Sequence, residues 1–572
     1  MAKFTSNYAA TISVAAMSAA LFSAGAHAST DGIEERIRQL ENLQRMQARE
    51  IAKLRKEAQD AKATAQKSTN IVNAAAAKGL AGAKGAQQPP PPPPVLVTFR
   101  NGLAVETEDK AYSFRLGGRL IVDGGGSSQP ERGYNGFANI TYAWLQVEGR
   151  AAKMWEYKLS YDFANTSAIG VLGGIRDAYL VLKHPALQLP FTTEPVALEI
   201  GNQWEPMGLE RINSRLTLDF MDRSLMSDVF GAARHLGGSF LAHGSNWTLK
   251  AGVFSTSTQD KALAPAALQP VPFWISPKAG WVSTGGAQYF DVSARTTYAP
   301  ILEKDRMIHL GASGRYHQPN SATGANDDRV LLLGSNTNME SNVLKTNLLG
   351  TPDLSCGAYS VAGNPLVAGK CVRNVIGYGA EFMGSYGPFS VQAEYMGAQY
   401  NRRGGSLALA NLAGVYAPGG TSLSYNGYYV YGTWYLTGES RAASYSVSNL
   451  AGPATFEEIK ILQPLSAGGW GAWELAARFS SVNLNIGPYQ GSAFANLIAL
   501  APNAATRAYV ANSSINGGRE QDVTVGVNWY PDKGVRFMFN WTHVATLMAP
   551  WDRAYLNGAH PNTFLVRTQV NW

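Results

Sequence analysis

The residues of this sequence that could do chemistry are basic side chains set into strands of alternating polarity. Arg115, Arg119, Lys158, Arg295, Arg478, Arg536 and Arg567 each fall on the polar parity of such a stretch. A guanidinium is planar, stays charged at any biological pH and donates two parallel hydrogen bonds to an oxyanion. Gathered at a constriction, such groups replace part of an anion's hydration shell and select for it. The alternative for each is a wall residue paired with a neighbouring acid, as Glu474 stands near Arg478. Other chemistry finds no support. The chain carries no nucleophile elbow, no H-E-x-x-H and no convincing acid pair. Its eight histidines are scattered, and His184 and His235 read as surface or rim residues rather than bases. The expectation is a non-enzyme with no cofactor and no bound metal.

The elements that must position these residues are β-strands. In FLVRTQVNW, Phe564, Val566, Thr568, Val570 and Trp572 share one parity, and Leu565, Arg567, Gln569 and Asn571 the other. Period two places each set on its own face of a strand. The same alternation recurs in YKLSYDF from Tyr157, WELAARFS from Trp473, VTVGVNW from Val523 and VRFMFNW from Val535. A soluble sandwich cannot hide that many charges on inner faces. A water-filled transmembrane barrel can, with apolar faces to lipid and polar faces to the lumen. Trp572 then closes a strand on its lipid side. The hexapeptide WYPDKG, 529–534, reads as a tight hairpin turn, whereas 318–375 and 401–426 read as long connections.

Composition agrees. The chain has 572 residues, only 16% charged, with 59 Gly, 26 Tyr and 10% aromatics. Mean hydropathy is −0.14, and no apolar run past residue 30 is long enough for a transmembrane helix.

Four zones follow. Residues 1–28 read as a signal peptide, with Lys3 in its charged region and Ala26-His27-Ala28 as the cleavage site. Residues 29–80 carry heptads, with Ile33, Ile37, Leu40, Ile51 and Leu54 on the apolar seam. This predicts a periplasmic α-helical coiled coil on the order of 60 Å long, or else a single solvated helix. Residues 81–98 form a spacer whose six consecutive prolines, Pro89–Pro94, favour polyproline II. Residues 99–572 form the barrel. Export implies an oxidising compartment, so Cys356 and Cys371 are a disulfide candidate. The alternative is two unpaired loop thiols.

Several stretches together resemble the phosphate- and polyphosphate-selective porins, the O and P porin family. They are FRNGLAVETEDKAYSFRLGGRLIVD (99–123), YKLSYDFAN with IRDAYLVLKH, and LEIGNQWEPMGLERINSRLTLDFMDRSL (198–225). Later come YLTGESR (435–441), GAWELAARFS (471–480) and VGVNWYPDKGVRFMFNW (525–541). Met207 and Asp222 stand where the family usually has Phe and Glu. The resemblance implies an all-β, sixteen-stranded antiparallel outer-membrane barrel, a homotrimer, with loops folded into the lumen. It adds Arg211, Arg215, Arg223 and Arg234, in or near the most specific stretch, to the anion-pathway candidates. The expected partners are small inorganic anions and outer-membrane lipid; the coiled coil could add a cell-wall contact, and nucleic acid is not implied because the basic excess lies on that coiled coil.

Charge leaves the substrate open. The pI is about 9.1, yet from Val95 onward there are 36 basic and 34 acidic residues. Anion preference would therefore rest on local clustering. A general porin, a porin for another solute, or a tether to the cell wall are the competing readings.

Overall fold

The computed structural model describes residues 95–99, 102–129, 133–164, 174–255, 290–319, 334–335, 348–351, 359–361, 364–366, 372–402, 422–449, 452–486 and 516–572. The expected signal peptide and coiled coil, most of the expected spacer and both cysteines lie outside the described residues.

Sixteen antiparallel strands form a closed ring. It opens with β3 (Ser113–Gln129), β4 (Gly133–Ala151), β5 (Trp155–Asp162), β6 (Ile175–Leu182) and β7 (Ala197–Trp204). It continues through β8 (Arg234–His243), β9 (Trp247–Phe254), β10 (Phe290–Leu302) and β11 (Arg306–Gln318). Then come β12 (Val372–Tyr386), β13 (Phe389–Arg402), β14 (Ser422–Tyr435) and β15 (Ala472–Asn485). The ring ends with β16 (Asn516–Tyr530), β17 (Val535–Met548) and β18 (Asn562–Asn571). Each strand pairs with the next, and β18 pairs with β3, so no ring strand is left with an open edge. Closure satisfies the backbone hydrogen bonds that lipid cannot. No helix among the described residues is long and apolar enough to cross a membrane.

The first residues of the expected barrel, 99–112, lie outside the ring. Two short strands, β1 (Val95–Phe99) and β2 (Leu103–Thr107), form a hairpin instead. β2 pairs with the first residues of β3, from Ser113 to Leu116, just beyond the point where β18 ends on that same edge. Gly118 and Trp572 exchange backbone bonds of 2.9 and 3.0 Å at this junction. A Cβ on Gly118 would stand 2.5 Å from the Trp572 indole, so glycine is what admits the ring.

Polarity is inverted relative to a water-soluble fold. On β18, Phe564 and Val566 are 44% and 52% exposed, whereas Arg567 and Gln569 are each 2% exposed. β17 repeats this, with Phe537 and Phe539 outward and Arg536, Met538 and Asn540 inward. Connections at the Trp572 end are short at 152–154, 244–246, 303–305, 387–388 and 531–534. Near that end Trp473, Trp529 and Phe537 stack in series at 5.5 and 5.4 Å, an aromatic band of the kind that anchors barrels at an interface.

Two connections enter the lumen. The connection from β7 to β8, residues 205–233, enters from the end opposite Trp572 and carries α1 (Leu209–Ile212) and α2 (Leu225–Phe230). Met226 and Phe230 of α2 join a buried cluster with Tyr425, Tyr429 and Tyr431 of β14. A second connection, 436–471 between β14 and β15, belongs to the Trp572 end, yet it also enters the lumen. The two meet where Arg441 pairs with Asp219 and where the Phe456 N–H donates to Asn213 Oδ1 at 3.2 Å.

Candidate functional site

The inward connection is held by local chemistry at its start. Gly208 adopts φ 76°, and a Cβ there would collide with Met396. This close approach lets Glu394 of β13 accept from the Leu209 and Glu210 N–H groups at 2.8 and 2.7 Å, satisfying the first donors of α1. Glu210 in turn accepts from the Ser224 N–H (3.0 Å), the Ser224 hydroxyl (2.7 Å) and the Ser227 hydroxyl (2.5 Å). Ser224 caps α2 through the Ser227 N–H at 3.3 Å. The GLE and RSL stretches noted in the sequence thus bond to each other.

Four of the basic residues expected in the pathway serve this scaffold. Arg478 pairs with Glu210 at 3.2 Å, not with Glu474, and donates to the Asp222 carbonyl at 3.0 Å. Glu474 instead accepts from Asn528 and Tyr530. Arg536 donates to the Leu218 and Arg215 carbonyls and to Gln569. Arg567 bonds Asp123 twice and reaches the Met221 carbonyl at 2.9 Å. Arg295 bonds Glu381 twice and reaches the Pro453 carbonyl of the second connection at 2.6 Å. All four are buried, with guanidinium donors directed at carboxylates, carbonyls or amide oxygens. Arg115 lies apart from them, paired with Glu148 on the wall near the Trp572 end.

The remaining six candidates converge. Arg119, Lys158, Arg211, Arg215, Arg223 and Arg234 line one cavity of about 190 Å³ between strands β3 to β8 and the inward connection. Arg176 of β6 is the seventh cation, and Asp177 is the single carboxylate among the lining residues. Asn449, Gly452 and Thr455 of the second connection complete the wall. Arg234 bonds Asp177 at 2.6 Å, and Lys158 lies 3.8 Å from the same carboxylate. Arg176 pairs with Asp162 at 2.8 Å, and Arg211 with Asp228 at 3.3 Å. Arg223 donates to the Glu210 and Asn213 carbonyls, which carry no net charge. Arg119 makes no ion pair among the described residues and lies over the Trp144 ring.

Sequence reasoning missed Arg176 and the three aromatic residues of this cavity, Tyr142, Trp144 and Trp204. The register of β5 against β6 shifts between Leu159 and Tyr161, which turns Arg176 away from the parity that its neighbours predict. For β4 a signal was available, because Tyr142 and Trp144 share the parity of Gln146 and Glu148.

The histidines divide. His184 is exposed and caps a short turn through the Ala186 N–H, as a surface residue would. His235 is not at the surface or rim. It is buried against Glu205, inside a chain in which Arg315 bonds Glu205 (3.1 Å) and Asp291 (2.8 Å), and His317 bonds Asp291 (2.6 Å). Glu205, His235 and Asp291 bring potential metal ligands within 4.8 Å of one another. Arg315 already bonds both carboxylates and His317 takes up Asp291, so these ligand atoms are engaged and the cation among them does not fit a metal site.

The family profile described as phosphate-selective porin O and P matches residues 114–572, which is the closed ring almost to the residue. The chain belongs to this family. It is an outer-membrane porin. It is similar to Porin O of Pseudomonas aeruginosa, with 23% identity over 461 residues, 77% of this porin and 85% of that protein. Among solved structures it is similar to OprB of Pseudomonas putida, with 8% identity, a TM-score of 0.43, and 81% and 95% of the two chains covered. It is also similar to OmpT of Vibrio cholerae in a trimer form, with 10% identity, a TM-score of 0.38, and 81% and 100% covered.

Proposed function

We propose that this porin is a passive, anion-preferring channel, not an enzyme, and that its permeant solutes are phosphate or polyphosphate. One observation carries the reading: seven cations and a single carboxylate line the cavity beside the inward connection. Charges in a narrow lumen with low-dielectric walls act over a focused field, so a local cluster outweighs a near-neutral total. Several acids elsewhere in the lumen are held by the scaffold arginines, as Glu381 is by Arg295 and Asp123 by Arg567. The segregation reconciles 36 basic and 34 acidic residues with an anion pathway. A buried donor supports it further. The Trp144 indole N–H, at the cavity wall, has no acceptor among the described residues. Phosphate as the solute, and a trimeric assembly, rest on family membership.

The even charge balance favours a second reading, a general porin. Reversal potentials across bilayers in unequal potassium chloride, followed by phosphate titration of the chloride current, separate the two. The phosphate reading expects anion preference and block at about millimolar concentration, loose enough for release. Cation preference with chloride current indifferent to phosphate would leave the general porin standing.

A further inference from the structure

We propose that Tyr142, Trp144 and Trp204 are positioning residues for anion selection: their rings hold the cavity arginines in place and, for Arg119, do so without a neutralising carboxylate. The inference rests on the anion-channel reading above. Every arginine that lines the cavity lies against one of these three rings. Arg119 stands 4.0 Å from the Trp144 centroid. Arg234 stands 4.1 Å from Trp204 and 5.5 Å from Trp144. Arg215 and Arg176 stand 4.8 and 5.9 Å from Tyr142. Arg211 and Arg223 stand 5.7 and 5.8 Å from Trp204. Tyr142 and Trp144 meet edge to face, with centroids 6.0 Å apart.

The choice of partner decides what a passing ion feels. A carboxylate orients a guanidinium and cancels its charge. A ring orients it through its quadrupole and carries no net charge, so the full positive charge stays in the lumen. Arg119 is the clearest case, with a ring contact and no ion pair among the described residues. Arg234, Arg176 and Arg211 combine a ring with a carboxylate, from Asp177, Asp162 and Asp228, whereas Arg295 and Arg567 on the wall each bond a carboxylate twice. The rings also oppose the mutual repulsion of neighbouring cations, since Trp144 contacts both Arg119 and Arg234. Trp144 can hold its place because it is only 6% exposed. Trp204, at the end of β7, ties Arg211 and Arg223 of the inward connection to Arg234 of the wall.

The test compares Trp144→Phe with Trp144→Leu, and Trp204→Phe with Trp204→Leu, in the full-length porin reconstituted in planar bilayers. Phenylalanine keeps a π face; leucine keeps bulk alone. The leucine variants should lower the anion-to-cation permeability ratio by about threefold or more, while the phenylalanine variants stay within about twofold of wild type. Conductance in molar salt, where these fields are screened, should match wild type throughout and reports an intact barrel. Leucine variants that keep the wild-type ratio at normal conductance would overturn the role of the rings while leaving the channel reading in place. A wild-type porin with no anion preference would overturn both. Should Trp144→Leu fail to assemble, the half-buried Trp204 pair decides.

Discussion

Arg567 holds Asp123 through two parallel hydrogen bonds of 2.7 Å each, across the seam where β18 meets β3. The two residues are also register partners in that ladder. Asp123 is 1% exposed, so removing the guanidinium would strand a buried carboxylate. Arg567→Ala should therefore cost about 3–5 kcal/mol, and the double variant Asp123→Ala/Arg567→Ala should cost less than Arg567→Ala alone. Denaturant unfolding of the reconstituted barrel measures both, and a double variant as weak as the single one would show that the pair itself is not what matters.

Gly118 faces the Trp572 indole at the same seam. A Cβ there would meet the ring at 2.5 Å and the Trp144 carbonyl at 2.8 Å. Gly118→Val should slow assembly and reduce the fraction of barrel that keeps its folded mobility on unheated gels. A wild-type yield would mean that the indole simply swings aside.

Gly208→Ala places a methyl against Met396 at φ 76° and should dislodge Glu394 from the start of α1. At ψ 144° this backbone lies outside the left-handed helical region and close to conformations that only glycine adopts readily; a Cβ there costs about 1–3 kcal/mol, enough to shift the inward connection. Single-channel recordings should show an altered conductance or added open-channel noise.

Arg119→Ala and Arg223→Ala remove cavity cations, so each should lower the anion-to-cation permeability ratio. Arg306→Ala removes an exposed cation paired with Glu303 at the Trp572 end and should leave that ratio unchanged. Reversal potentials decide the comparison. Equal effects from cavity and exterior would argue against a localised filter.

Cys356 and Cys371 are expected to be joined, because an exported chain matures in an oxidising compartment. The bond would contribute about 3 kcal/mol in the chain-entropy model. Peptide mapping of unreduced protein from native membranes should recover them linked, and two alkylated thiols would count against it.

The barrel was legible in the sequence because period-two alternation depends only on neighbours. The outward Phe564 and Val566 and the inward Arg567 and Gln569 could be assigned without knowing what they touch. The division among the arginines was not legible. Arg478, Arg536, Arg567 and Arg295 donate to carbonyls of Asp222, Leu218, Met221 and Pro453, partners 158 to 346 residues away that carry no side-chain signature. Arg176 was hidden by a bulge, which breaks the parity rule locally. Trp144 could have been placed by its parity with Gln146 and Glu148, whereas Trp204 was hidden by composition, since a tryptophan in a barrel strand serves a lipid interface as readily as a lumen.

The scaffold bonds inside the lumen also bear on how the molecule is made. Arg567 reaches Met221 across 346 positions of sequence, and Asn540 reaches the same residue across 319. Contacts of such separation form late, because the loop-closure entropy precedes any gain from them. The connection 205–233 is translated long before β17 and β18, whose side chains hold it in place. It cannot acquire its final seat until the ring shuts around it. Interior and wall should therefore mature in one concerted step, and protease resistance of 205–233 should arise together with closure of the β18–β3 seam rather than before it.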